Sequence, residues 1–402
     1  MSMSARSPSL SDRIRQEIET QGPMPFSRFM DLALYDPLEG YYTSGRAAVG
    51  REGDFFTSVS IGPVFGAVLA GQFLEMWETL GRPPEFRLVE QGANDGRLSC
   101  DILKALSETP LAGVPLTIIE PASILREKQA VTLAGFDIHW VESPENLHTF
   151  DGVHFSNELF DALPFDILEA RAGAWHELQI HADEAGFCFK ASPHPIQTDL
   201  PPRPNGYRTE LRRHQSGLLE TLSAILSRGF LLAIDYGMPR SELLAPHRSG
   251  GTLACYAQHR RDEAPLENPG EKDITAHVDF TALAQDANAC GLALKGYTDQ
   301  HHFLVGAATG LLKSLDGAAP TPATLKILRS LRTLLHPETM GTQFKAILFS
   351  KNTPLAKPLS GFQHAGDCRF LLEDTITNNA NSEPLLTTAE QGKAWEAALG
   401  GY

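Results

Sequence analysis

A run of seven residues, Glu90-Gln91-Gly92-Ala93-Asn94-Asp95-Gly96, carries the densest chemistry in the chain. It follows a short apolar stretch ending in an acid, FRLVE at 86–90, and precedes a helix-like stretch. Glycines at such a turn let the backbone approach a ligand closely. A dinucleotide fingerprint wants a third glycine, and the middle position is Asn94. The Gly-Lys-Ser/Thr of a P-loop is absent as well, so a pyrophosphate cradle and a nicotinamide-dependent oxidoreductase are disfavoured. Glu90 suits a ligand with an ammonium group. Glu120 ends the next apolar run, LTIIE at 116–120, where an acid suits a ribose. S-adenosylmethionine has both groups. Glu90, Gly92, Asn94, Gly96 and Glu120 are therefore the candidate cofactor residues, against the plainer reading of a tight turn with a surface glutamate. A third group, Asn157, Glu158 and Asp161, follows another apolar run, where an open sheet presents the carboxyl ends of its strands.

These residues need a sheet to hold them. Apolar runs at 86–90, 116–120, 138–140, 153–156 and 229–236 alternate with helix-like stretches at 97–107, 123–131 and 208–227. That alternation predicts a mostly parallel sheet covered on both faces. Residues 165–190 read as two or three strands, and Pro193 to Pro204 as a connector. Leu292 to Tyr297 and Gln343 to Ser350 read as an antiparallel pair around a helical insertion that includes 325–335. Upstream, helices are expected over 10–19, 26–34 and 65–80, with Ser9 or Ser11 near the first cap and His277 opening a later helix. Asp235 and Tyr236 are expected on the substrate side of the sheet.

Composition narrows the function. The 402 residues carry 34 Lys+Arg and 49 Asp+Glu, a net charge of −15, which argues against nucleic acid or an anionic membrane as the default partner. Cysteines at 100, 188, 255, 290 and 368 form neither a zinc pattern nor a disulfide framework, and fit a reducing compartment. Met1 to Asp12 lacks an apolar stretch of signal-peptide length, and no run is long enough to span a membrane. A cytoplasmic location is expected. His301-His302 lacks partners at ligand spacing, so no metal is expected, and Ser156 lacks a nucleophile elbow.

Several motifs in order resemble the MidA / NDUFAF-seven family of class I methyltransferases, proteins linked to respiratory complex I assembly. They are FSRFMDLALYDPLEGYY (26–42), GDFFTS (53–58), GPVFG (62–66), LVEQGANDGRL (88–98), SNELFDALPF (156–165), AIDYG (233–237), DITAHVDF (273–280) and MGTQFKAIL (340–348). The resemblance implies an α/β class I fold: a Rossmann-like, seven-stranded, mostly parallel sheet with an N-terminal helical segment and inserted substrate-binding elements. It divides the chain into a segment over the active site (1–80), a methyltransferase domain (81–350) with insertions near 165–210 and 300–340, and a C-terminal extension (351–402). It implies S-adenosylmethionine as cofactor and symmetric dimethylation of a protein arginine, with a respiratory-complex subunit as a candidate acceptor.

Paired carboxylates can grip a planar guanidinium. Were 158–161 to open a helix, Glu158 and Asp161 would share a face. Glu158 is then the leading acceptor-binding carboxylate, Asp161 its helper, and Asn157 a positioning residue for cofactor or chain. Asp54 with Thr57 is the candidate pair closing over the cofactor, and a turn-stabilising role is the plain alternative for Asp54. Two departures stand out. The family glycine motif reads GPGRGTL where this chain has 92–98, and Val59-Ser60 replaces a Pro-Glu pair. A weakly catalytic assembly factor and a small-molecule methyltransferase are the competing readings. Oligomeric state is left open, a homodimer included.

Overall fold

The computed structural model describes residues 8–45, 58–257, 260–315, 321–336 and 340–373. Among the described residues seven strands form the main path of the central sheet: β1 (Phe86–Gln91), β2 (Leu116–Ile119), β3 (Ile138–Val141), β4 (Phe150–Asn157), β5 (Leu226–Met238), β6 (Ala293–Asp299) and β7 (Phe344–Lys351), with the short strand Val278–Asp279 pairing off that path with the end of β5. Their spatial order is β6-β7-β5-β4-β1-β2-β3. The pairs from β5 through β4, β1 and β2 to β3 are parallel, and β7 runs antiparallel to both β5 and β6. This is the expected Rossmann-like sheet. Its order reverses between β1 and β4, the position where an open α/β sheet leaves a crevice at its strand ends.

Strand β5 explains why these segments read as unbroken apolar runs. Phe230, Leu232 and Ile234 enter one core cluster, and the alternating Leu231 and Ala233 enter the other. Both faces are therefore dry. One face is covered by α3 (Val64–Thr79), α4 (Arg97–Leu106) and helices Gln300–Ala307 and Pro322–Leu335. The other is covered by α6 (Gln215–Ile225) and helix Phe280–Ala289. Helix α5 (Ser123–Thr132) links β2 to β3.

The N-terminal helices α1 (Leu10–Gln21) and α2 (Phe26–Tyr35) belong to a separate core. Ser9 caps α1 through a capping box, its Oγ accepting from the Asp12 N–H at 3.2 Å while Asp12 Oδ2 accepts from the Ser9 N–H at 3.0 Å. Leu10, Ile14 and Ile18 form its buried stripe. Both helices pack on an antiparallel sheet built from Met24–Pro25, Ala174–Asp183, Asp166–Arg171 and Arg208–Leu211, with Gly186–Pro195 paired to Ala174–Asp183. The continuous helix expected over 208–227 is not formed. Residues 208–211 pair with 166–169, the helix is limited to 215–225, and Leu226 already begins β5. Strand pairing thus overrides local helical periodicity at both ends of that stretch. His277 likewise precedes its helix, which Asp279 caps by accepting from the Ala282 N–H at 3.0 Å. Among the described residues no helix is long and apolar enough to cross a membrane.

Candidate active site

A cavity of about 310 Å³ opens at the carboxyl ends of β1, β2 and β4. Glu90, Gly92, Asn94, Glu120, Asn157, Glu158 and Asp161 all line it. Gly96 does not. It caps α4 with φ +82°, and a Cβ there would lie 3.2 Å from Leu133 Cδ1. Asp54 and Thr57 lie outside the described residues.

The glycine turn is left-handed twice on the cavity wall. Gly92 has φ +78°, with room for a Cβ only 3.3 Å from Leu159 Cδ1. Asn94 has φ +47°, a region asparagine tolerates better than most residues, so replacement of the family's middle glycine keeps the turn. Its carbonyl accepts from Gln129 Nε2 at 2.8 Å. The same amide nitrogen reaches Glu120 Oε2 at 3.1 Å, and Gln129 Oε1 accepts from Trp140 Nε1 at 2.9 Å. Gln129 thus ties the turn after β1 to the acid after β2. One glutamine among the several polar residues of α5 gives no sign of this in the sequence. Glu120 Oε1 also accepts from the Ala122 N–H at 3.0 Å, which holds the side chain in place. Burial raises the pKa of Glu120. Glu90 is 2 % exposed and accepts from Ser99 Oγ in the first turn of α4. Burial pushes its carboxyl up to about 7.

Beyond β4 the chain turns sharply instead of entering the expected helix. Residues 158–163 are bends and turns, and Glu158 sits at φ +56°. The cause is Asp235 on neighbouring β5. Its Oδ2 accepts from the N–H groups of Leu159 at 3.1 Å, Phe160 at 2.8 Å and Asp161 at 3.4 Å. Asp235 is therefore a scaffold for the turn, while Tyr236 faces the cavity. The Tyr236 hydroxyl donates to Asp161 Oδ2, which also accepts from Thr275 Oγ1 at 2.8 Å. Asn157 Nδ2 donates to Glu158 Oε1 at 3.0 Å. Desolvation, Asp161 and Asp273 together push Glu158 up to about 8. Burial also raises Asp161 and Asp235. Arg212 sits behind the turn, donating to the carbonyls of Ala276 at 2.6 Å, His277 at 2.9 Å and Asp161 at 3.2 Å.

The N-terminal segment closes one side. Tyr35 and Tyr42 stack with centroids 5.6 Å apart, the Tyr42 hydroxyl donates to Asp273 Oδ1 at 2.8 Å, and Tyr35 donates to the Ala162 carbonyl at 2.9 Å. Both rings and Asp273 line the cavity. The wall therefore carries four acids from the ends of β1, β2 and β3 and the turn after β1, Glu90, Asp95, Glu120 and Glu142, and three more in Glu158, Asp161 and Asp273. Among the described residues it carries no Lys, Arg or His. A cavity so built favours cationic ligands.

Residues 68–298 match the family described as "Putative S-adenosyl-L-methionine-dependent methyltransferase". The chain belongs to this methyltransferase family. A crystal structure from Burkholderia thailandensis bound to S-adenosyl-homocysteine is 30 % identical and superposes with a TM-score of 0.79 over 90 % of this chain and 96 % of that one. The Drosophila melanogaster protein named "Protein arginine methyltransferase NDUFAF7 homolog, mitochondrial" is 29 % identical over 84 % of each chain. The Homo sapiens protein of the same name without "homolog" is 26 % identical over 82 % of this chain and 80 % of its own. The protein is thus an S-adenosylmethionine-dependent methyltransferase with a class I fold, and S-adenosylmethionine is its cofactor. The acids at the ends of β1 and β2, Glu90 and Glu120, line the cavity. The cytoplasmic expectation is overturned, since these curated relatives are named as mitochondrial. The sparse cysteines behind that expectation suit any reducing compartment and do not single out the cytoplasm.

His301 and His302 have ordinary partners, the Leu335 carbonyl at 2.7 Å and Asp299 at 2.7 Å. Among the described residues no group of His, Cys, Asp and Glu converges to hold a metal ion.

Proposed function

We propose that this methyltransferase acts on arginine side chains of a protein. The observation that carries the reading is the cavity wall of seven carboxylic side chains with no basic residue among the described ones. A guanidinium is always protonated, planar and rich in donors, so it matches acceptors and not donors. Two acceptors await it: Asn157 Oδ1 and Asp161 Oδ1 are buried with no partner among the described residues. Glu158 supplies a further carboxyl, and an arriving cation draws off its proton.

The bound cofactor supplies an electrophilic methyl group on a sulfonium. Glu158 and Asp161 hold and orient the acceptor nitrogen toward it, and a carboxylate of this pair takes the proton that the nitrogen gives up as its new bond to the methyl carbon replaces the bond to sulfur. Alignment and electrostatics provide most of the rate, since no strong base is needed before transfer. Glu90, Gly92, Asn94 and Glu120 are assigned to the cofactor, with Asp54, Thr57 and Gly96 completing the family motifs. Residues 1–80 are taken as the segment over the active site, 81–350 as the catalytic domain with insertions near 165–210 and 300–340, and 351–402 as an extension. Arginine as the acceptor is supported by kinship with relatives named as protein arginine methyltransferases. Symmetric dimethylation and a respiratory-complex subunit as acceptor are what the family resemblance of the sequence motifs implies.

The test is methyl transfer from labelled S-adenosylmethionine to protein in a lysate of the source cells, followed by acid hydrolysis and amino-acid separation. Label in symmetric dimethylarginine, absent with Glu158→Gln, is the expected result. Label in lysine, in a carboxyl ester or in a small molecule would overturn the assignment.

A further inference from the structure

The acidic wall suits a cofactor's ammonium and sulfonium, yet S-adenosylmethionine also carries an α-carboxylate. Among the described residues no cation lines the cavity to receive it, and neutral donors are the groups on hand there. Three side-chain amides are on the wall: Gln91, Asn94 and Asn157. The nitrogen of Asn157 is engaged by Glu158 at 3.0 Å. Gln91 is the last residue of β1, and its Oε1 lies 3.3 Å from Nε2 of His154 on adjacent β4.

His154 decides which way that amide faces. It is 1 % exposed, and its Nδ1 has no partner among the described residues. Two neutral tautomers exist. One leaves a buried Nδ1–H without an acceptor. The other leaves Nδ1 as a bare acceptor and places the proton on Nε2. A buried orphan donor is the rarer and costlier arrangement. The imidazole therefore donates from Nε2 to Gln91 Oε1. Burial also pushes its pKa down to about 3, which keeps the ring neutral. With its oxygen held by His154, Gln91 can present only its NH₂ to the cavity.

We propose that the Gln91 amide is the anchor for the cofactor's α-carboxylate, and that His154 is the positioning residue that fixes its orientation. The inference rests on the cofactor and not on the arginine reading, so either can fail alone. It also gives a purpose to a polar residue at the end of a strand whose other face is core.

The decisive comparison uses S-adenosylhomocysteine and its decarboxylated analogue in calorimetric titration. Gln91→Leu should lower affinity for S-adenosylhomocysteine by about tenfold or more, the loss expected of one hydrogen bond to a charged group. Affinity for the decarboxylated analogue should stay within about threefold, because that ligand never used the contact. His154→Leu should shrink the preference between the two ligands in the same direction. Equal loss for both ligands, or no loss with Gln91→Leu, would overturn the assignment. Wild-type protein gives an independent answer if a variant fails to fold. Nitrogen-15 spectra should show His154 Nδ1 unprotonated from about pH 6 to 8. The Gln91 side-chain amide signal should shift with S-adenosylhomocysteine and not with the decarboxylated ligand. A protonated Nδ1, or an amide signal indifferent to the carboxylate, would sink the proposal.

Discussion

Glu158 combines a left-handed backbone, φ +56°, with a carboxyl raised to about 8 in an acidic surround. Either feature alone costs stability, and residues held this way cluster where function needs them. Glutamine at this position keeps the shape and removes the charge. Glu158→Gln should lower kcat by about a hundredfold or more, the scale lost when one preorganised electrostatic contact is removed. Affinity for S-adenosylhomocysteine should remain within about threefold. Turnover close to wild type would remove Glu158 from the acceptor site. Glu120 should behave in the opposite way. Its carboxyl is fixed by Ala122 and Gln129 at the end of β2. Glu120→Ala should weaken S-adenosylhomocysteine by about tenfold or more in calorimetry, as the loss of contacts to a charged group implies. An unchanged dissociation constant would separate Glu120 from the cofactor.

Between elements, the turn at 158–163 is set from β5. Three N–H groups converge on Asp235 Oδ2, so the turn is shaped by a residue 74 to 76 positions away from the groups it holds. Asp235→Asn retains an acceptor oxygen and should keep most of the fold and a measurable rate. Asp235→Ala orphans those donors, which should destabilise by about 2–4 kcal/mol, several hydrogen bonds' worth, and abolish turnover. Denaturant melts of the two variants would show it, and equal stability would contradict the scaffold role. The strand–helix frame was legible because buried parallel strands are apolar on both faces, as β5 demonstrates with Phe230 to Ile234. Glu90, Gly92, Asn94, Glu120 and the 157–161 group were legible because strand ends punctuate that frame with acids and glycines. Contacts across distant sequence were not legible. The i, i+3 spacing of Glu158 and Asp161 resembles a helix until Asp235 is seen to hold the backbone. Gln129 gives no clue until Asn94, Glu120 and Trp140 surround it.

For the whole molecule, the acidic cavity is a source of instability that varies with pH. A carboxyl with a raised folded pKa keeps its proton after the unfolded chain has lost its own, so stability falls as pH climbs through the folded value. Glu90 near 7 and Glu158 near 8 spread that fall from the ordinary glutamate value of 4.5 up to neutrality, and above about 7 Glu158 carries it alone of the two. The buried neutral imidazoles of His154 and His277, pushed down to about 3 and about 4, act in the other direction. Their effect is complete once pH passes the ordinary histidine value of 6.5. His302, raised by Asp299, adds to the fall. The net expectation for the ligand-free protein is a melting temperature that declines from pH 6.5 to pH 8, the span bounded by those two values. Glu158→Gln removes one of the titrating groups and leaves His302 untouched. Its decline over the same span should be shallower than that of the wild type, and its melting temperature at pH 8 should be higher. Parallel pH curves for the two proteins would mean that Glu158 ionises as freely in the fold as in water, and that the cavity does not impose the electrostatic bias on which cation recognition here depends.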